Sequence, residues 1–163
     1  MQRIAKCQTH FASEAGGAER RPFVFQDQVT NIYLPAMPIV RISAPDHLSI
    51  NKLKALGNAV HEALIATCNV RTNDRFLLIT RFGAEAMMID PTFPHFERTP
   101  DASIVEISFL RGRSAEQKRN LYKQIAQNAL LSGIVPDDIM IVLTEKSPID
   151  CSFGRGETIS ATP

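Results

Sequence analysis

The chain has 163 residues, enough for one domain with a sizeable core. A formal net charge of +1 with no basic run gives no footprint for nucleic acid, and no apolar stretch approaches the ~20 residues of a membrane span. Three scattered cysteines, Cys7, Cys68 and Cys151, lack paired spacing; they argue against a disulfide framework and fit a reducing, cytoplasmic compartment.

Residues 1–36 carry no convincing periodic pattern and are punctuated by Gly16-Gly17, Arg20-Arg21-Pro22 and Pro35. No continuous apolar run suggests a secretory signal. Arg3, Lys6, Arg20 and Arg21 lean towards a presequence, but Glu14, Glu19 and Asp27 lean back. This segment is expected to be a disordered extension or the product of a start codon placed too early. The Met37-Pro38 pair favours the second. His10, His47, His61 and His95 show no ligand spacing with one another or with the cysteines, so no metal site is expected.

Pro38-Ile-Val-Arg-Ile-Ser43 reads as a buried strand, rich in β-branched residues. After a short loop, Ser49 or Asn51 can cap a helix, with Ile50, Leu53, Leu56, Val60 and Leu64 on one stripe. Residues 69–73 form a turn, and residues 75–82 a second strand. The stretch 83–101 contains Pro91, Pro94 and Pro100, which exclude a helix, although Met87-Met88-Ile89 could form a short edge strand. A long structured loop of this kind is often functional.

The pattern then repeats. Ser103-Ile-Val-Glu-Ile-Ser108 restates the first strand at a shift of 65 positions, and Ser114 stands where Ser49 stood. Strand 103–110 leads through Arg111-Gly112-Arg113 to a helix over 114–132, opened by the capping-box pattern Ser114-x-x-Gln117. A turn over 133–136 precedes strand 139–145. A strand–helix–strand unit cannot bury its sheet face alone, whereas two can share one core. The expected fold is α/β: a tandem β-α-β repeat forming a four-stranded sheet with two helices on one face. Near-continuous apolar strands leave the other face apolar as well, and such a face should be covered in a small cyclic assembly.

Six motifs, in order and at matching spacing, then resemble the tautomerase superfamily. They are Met37-Pro38-Ile-Val-Arg-Ile, Asn73-Asp74-Arg75-Phe76, Asp90-Pro91-Thr92, Glu97-Arg98, Gly112-Arg113-Ser114-x-Glu116-Gln117-Lys118 and Ser152-Phe153-Gly154-Arg155-Gly156. Within it the chain looks like the branch of malonate semialdehyde decarboxylase and the cis-3-chloroacrylic acid dehalogenases. The resemblance implies a tautomerase/MIF-like domain over 37–158, with 1–36 an extension and 159–163 a tail, and a homotrimer.

The resemblance also implies a site. The family's catalytic group is the secondary amine of an N-terminal proline, here Pro38 once Met37 is removed. An α-amine titrates near ~8 and can be tuned towards neutrality, whereas an amide nitrogen has no basic lone pair. A proline opening a strand is also common for structural reasons. Asp74 matches the family's assisting acid, although a strand-start cap or an ion pair with Arg75 would explain it equally. Asp138, at the equivalent turn of the second repeat, shows that an acid there can be structural. Arg111 and Arg113 match the carboxylate-binding pair, since a guanidinium fork suits a carboxylate near a helix N-terminus. An isolated Arg-Gly-Arg would otherwise be read as a solvated loop.

Phe153 matches a pocket wall. Arg75 and Arg155 fit ion pairs better than a site, and His95 fits the surface better than a pocket. Where relatives often carry tryptophan, this chain has Cys151, and it contains no tryptophan. The function implied is a cytoplasmic isomerase or lyase of the malonate semialdehyde decarboxylase type. Its substrate is a small carboxylate bearing a carbonyl, and Pro38, Asp74 and Arg113 carry the chemistry. The alternative is a non-catalytic homologue with Pro38 blocked by the extension.

Overall fold

A computed structural model describes residues 38–158. The extension 1–36, Met37, Cys7, His10 and the tail 159–163 lie outside the described residues. Two β-α-β units follow one another: β1 (Ile39–Pro45), α1 (Ile50–Cys68) and β2 (Phe76–Phe82), then β3 (Ser103–Leu110), α2 (Ala115–Leu131) and β4 (Ile139–Lys146). The sheet order is β2-β1-β3-β4. Each unit pairs its own strands in parallel, and the units join antiparallel through β1 and β3. The tandem repeat read from the sequence is therefore the fold.

The helix boundaries follow from local chemistry. Lys52 N–H donates to Ser49 Oγ at 3.2 Å, so Ser49 rather than Asn51 caps α1. Ser114 Oγ accepts from Gln117 N–H at 3.1 Å while Gln117 Oε1 accepts from Ser114 N–H at 2.9 Å, completing the capping box. Asn69 ends α1 in a left-handed conformation at φ 53°, where a short polar side chain is tolerated better than a branched one.

Alternate strand residues point into the core. Val40 and Ile42 from β1 and Val105, Ile107 and Phe109 from β3 meet Leu53, Val60 and Leu64 of α1 and Leu121, Ile125 and Ala129 of α2. The two helices lie side by side, and Asn128 Nδ2–H donates to Ala59 O across them at 3.1 Å. His61 is a satisfied core histidine, its Nε2 lying 3.0 Å from Thr72 O.

The opposite sheet face is less uniformly apolar than the strand composition suggests. Phe76, Leu78 and Val142 are exposed there. Between them Arg41 and Glu106 stand directly opposite one another in the β1–β3 register, and both are exposed. The strands alternate more strongly than their β-branched composition implies.

Residues 83–101 are structured without being a strand. The expectation of an edge strand at Met87-Met88-Ile89 fails: those residues pair with no neighbouring strand, and Met88 is 89% exposed. Local side-chain bonds shape the segment instead. Asp90 Oδ1 accepts from Thr92 N–H at 2.7 Å, Phe93 N–H at 2.8 Å and Thr92 Oγ1 at 3.0 Å. These bonds hold the Asp90 carboxyl below its ordinary pKa.

Candidate active site

The topology sends the beginnings of β1 and β2 and the ends of β3 and β4 to the same edge of the domain. Pro38 immediately precedes β1 and is fully buried. Ile39 faces Phe76 on one side and Ser108 on the other, so Pro38 sits between the start of β2 and the end of β3. Asp74 lies at that start, and Arg111-Gly112-Arg113 leave that end.

Asp74 is mostly buried and its carboxylate accepts from Arg71 Nε at 3.1 Å. The sequence pointed to Arg75 as a structural partner. Arg75 instead donates to Asn58 Oδ1, because α1 flanks β2 at that point. Arg155 also has no ion pair among the described residues; it is exposed in a turn at φ 56°.

The arginine loop is held from three sides. Arg111 N–H donates to Lys146 O at 2.9 Å, extending the β3–β4 ladder by one rung. Gly112 turns the chain at φ 125°, a backbone region that side chains rarely adopt. The Arg113 guanidinium stacks 4.3 Å from the Phe109 ring centroid and donates to Leu110 O. Its Nε–H is buried without an acceptor. Glu145 on β4 flanks the loop and pairs with Lys118 Nζ at 2.9 Å. The Lys118 hydrogen bond is the main reason its carboxyl titrates below the ordinary value, with Gly112 and Arg113 adding to it.

A cavity of ≈170 Å³ opens on the sheet face away from the helices, at this same edge. Ile39, Ser108, Phe109 and Leu110 form its floor, and Cys151 and Phe153 from the tail form a wall. Arg41, Lys146 and Asp150 supply its charge. Asp150 is already engaged, accepting from Ser147 N–H at 2.8 Å. Of the residues singled out in the sequence, Phe153 and Cys151 line this cavity. Arg111 is exposed beside it, and Arg113 is turned towards Phe109. His95 lies elsewhere, within the 83–101 loop at the far end of the sheet, in a left-handed conformation at φ 94°.

Arg41 and Lys146 were not singled out from sequence. The signal available was alternation: Arg41 interrupts an otherwise apolar strand, and a charged residue facing away from the core invites the question of what it meets. Among the described residues, no cluster of His, Cys, Asp and Glu could hold a metal, and no helix is long and apolar enough to cross a membrane.

Comparison with known proteins places this arrangement. A family described as tautomerase enzyme matches residues 74–154, from the acid before β2 to the glycine after Phe153. The probable tautomerase YusQ of Bacillus subtilis (strain 168) is 30% identical over 121 residues, covering 74% of this chain and 95% of the relative. The chain belongs to the tautomerase superfamily. The FG41 malonate semialdehyde decarboxylase, solved with the inhibitor 3-bromopropiolate, is 28% identical over 73% of this chain and 91% of its own, with a TM-score of 0.68. A fused 4-OT asymmetric trimer shares the fold at 15% identity and a TM-score of 0.61, covering 74% of this chain and 94% of its own.

Proposed function

We propose that this tautomerase-superfamily chain is an enzyme acting on a small carbonyl-bearing carboxylate. Its reactive group is the secondary amine of Pro38, freed by removal of Met37. The activity we infer is of the malonate semialdehyde decarboxylase type, with keto–enol tautomerisation as a second activity. One observation carries the reading. The fold brings buried Pro38, Asp74 and the Arg111-Gly112-Arg113 loop to one edge of the sheet, beside a cavity walled by Phe153.

The chemistry follows from that edge. Nearby guanidinium groups disfavour a protonated amine, which draws the Pro38 nitrogen towards neutrality and suits it to general acid–base work. The Arg113 guanidinium, stacked on Phe109 at this edge, supplies charge-assisted donors suited to a carboxylate oxygen. Arg111, exposed at the mouth, supplies a second fork. In decarboxylation, the protonated Pro38 amine polarises the substrate carbonyl by a hydrogen bond or a Schiff base. Carbon dioxide departs, and the enolate left behind is stabilised by the cationic nitrogen. In tautomerisation, neutral Pro38 takes a proton from carbon and returns it to oxygen. Asp74 positions water or relays that proton. Neither route uses a metal or cofactor.

The exposed sheet face with Phe76, Leu78 and Val142 supports a homotrimer that turns these faces inward.

Two forms of the protein test the reading side by side, with phenylpyruvate and malonate semialdehyde as substrates. Protein made from Met37 and stripped of that methionine should turn over. Mass-verified protein retaining residues 1–37 should be inert, because an amide nitrogen delocalises its lone pair and can neither take a proton near neutrality nor form an imine. Equal activity in the two forms would remove Pro38 from the mechanism and leave Asp74 as the leading base.

A further inference from the structure

We infer that His61 is a positioning residue: it pins the turn that carries Asp74, so that the carboxylate is presented to the substrate in one place. This rests on the site reading above, in which Asp74 positions water or relays a proton, and adds to it the group that fixes Asp74.

His61 is the only buried histidine among the described residues. Its Nε2 lies 3.0 Å from Thr72 O. A carbonyl oxygen only accepts, so Nε2 carries the hydrogen and donates. Thr72 stands two residues before Asp74, in the turn between α1 and β2. Burying an imidazole to make one bond to a loop adds little net stability, and an apolar side chain would fill the same space. What the bond supplies is geometry.

The bond belongs to a row. Asn58, His61 and Leu64 recur at intervals of three along α1, on neighbouring turns of one face. Each holds a successive part of the reversing chain. Leu64 O accepts from Asn69 N–H, and from Val70 N–H at 3.4 Å. His61 takes Thr72 O, and Asn58 Oδ1 accepts from Arg75. Asp74 hangs between the last two fastenings. Inside the turn its N–H donates to Arg71 O at 2.9 Å, and its carboxylate accepts from Arg71 Nε at 3.1 Å.

The second repeat lacks this row. At the shift of 65, Ala126 stands where His61 stands and Lys123 where Asn58 stands. Its turn is closed by backbone bonds, Ser132 N–H and Ile134 N–H donating to Ala129 O at 2.9 and 3.0 Å. Its acid, Asp138, is held by Thr99 instead. The pinned turn occurs only in the copy whose acid lies at the Pro38 edge.

The test measures phenylpyruvate turnover in His61 variants, alone and combined with Asp74→Asn. His61→Leu fills the buried space without a donor, whereas His61→Gln keeps an N–H at a similar reach. His61→Leu should lower kcat about tenfold, because a misplacement of about 1 Å at a reacting group costs up to about a hundredfold. KM should stay within about twofold, because the arginine loop that receives the carboxylate leaves β3 and enters α2. His61→Gln should recover most of the loss. In the Asp74→Asn background, His61→Leu should cost nothing further, since it acts through Asp74. Urea midpoints check that each variant folds, and His61→Ala stands in if the leucine does not pack. A loss that persists undiminished without Asp74, or that His61→Gln fails to relieve, would make His61 a structural residue and overturn the inference. Wild-type kcat in His61→Leu beside a crippled Asp74→Asn would also overturn it, while leaving the site reading intact. Wild-type turnover in Asp74→Asn would instead remove Asp74 from the site reading, and the inference with it.

Discussion

The two ends of the sheet are made from equivalent positions of one repeat, yet they treat polar groups in opposite ways. Because β1 and β3 run antiparallel, the start of the first unit and the start of the second lie at opposite ends. Pro38 corresponds to Ser103, Asp74 to the turn acid Asp138, and Arg111-Gly112-Arg113 to Asp46-His47-Leu48. At the far end Ser103, His47 and Asp138 have partners, although Arg98 Nε in the adjoining loop is buried without one. Buried Asp138 accepts from Thr99 N–H and Thr99 Oγ1, both at 2.7 Å. Asp101 holds His47 at 2.9 Å and Lys52 at 2.7 Å, and Ser103 Oγ donates to Asp101 O at 3.0 Å. At the Pro38 end, cations outnumber engaged acids and the Arg113 Nε–H has no acceptor. Satisfied polar groups stabilise a fold, and the proposed function assigns the more cationic end to a ligand.

The largest expected effect that would break this comparison is at Arg113. Arg113→Ala should cut kcat/KM for small oxo acids by a hundredfold or more, about 3 kcal/mol, because the proposed mechanism puts its guanidinium on the substrate carboxylate. Arg111→Ala should be milder for tautomerisation and more severe for decarboxylation, which needs the carboxylate steered out of the carbonyl plane. His47→Ala, the corresponding loop at the far end, should leave kcat/KM nearly untouched. Steady-state kinetics on all three variants checks this. Similar losses at both ends would mean that the arginine loop is merely structural.

Asp74 and Asp138 sharpen the contrast at equivalent turns. Asp138→Ala removes the buried acceptor of two Thr99 donors and should cost about 1–2 kcal/mol of stability, with kcat of the folded protein unchanged. Asp74→Asn keeps a similar shape beside Arg71 and should lose most of its turnover, with a stability change of about 1 kcal/mol or less. Urea unfolding read together with kinetics separates the two. If Asp74→Asn loses stability and keeps activity, the Pro38 end is as structural as the far end.

The repeat made much of this legible from sequence. A strand pattern restated at a fixed shift, a matching pair of serine caps and an unambiguous helical stripe leave few alternatives, and the strand and helix boundaries agree to within a residue or two. The 83–101 loop was harder. Met87-Met88-Ile89 has strand-like composition, but Asp90 and Arg98 fold the segment onto itself, and such short-range side-chain bonding outweighs propensity. The clustering of Pro38, Asp74 and Arg113 was reached through the family motifs. Arg41 and Lys146 escaped because no motif contains both: one sits inside β1 and the other ends β4, and only the register of a formed sheet puts them on one cavity.

The smallest expected effect concerns acid. Asp101 at the far end titrates below its ordinary 3.8, chiefly through the Lys52 hydrogen bond and then the His47 bond. Glu145 beside the arginine loop titrates below its ordinary 4.5, chiefly through Lys118. In both cases the folded state binds the proton more weakly than the unfolded chain. The stabilisation is therefore complete at neutral pH and fades as pH falls below 4.5 for Glu145 and below 3.8 for Asp101, through the lower folded values. Both pairs are partly exposed, so each is worth about 1 kcal/mol or less, a few degrees in Tm at most. Thermal melts of wild type, Asp101→Asn and Glu145→Gln should converge as the solution is acidified and separate towards neutral pH. Added salt should shrink the separation, because both pairs are open to solvent. Glu145→Gln should also raise KM for an oxo acid modestly at neutral pH, since it weakens the Lys118 pair beside the arginine loop, whereas Asp101→Asn should not. If Asp101→Asn raised KM as much, the two ends of the sheet would be coupled through the core, and the division between a stabilising end and a ligand-seeking end would be wrong.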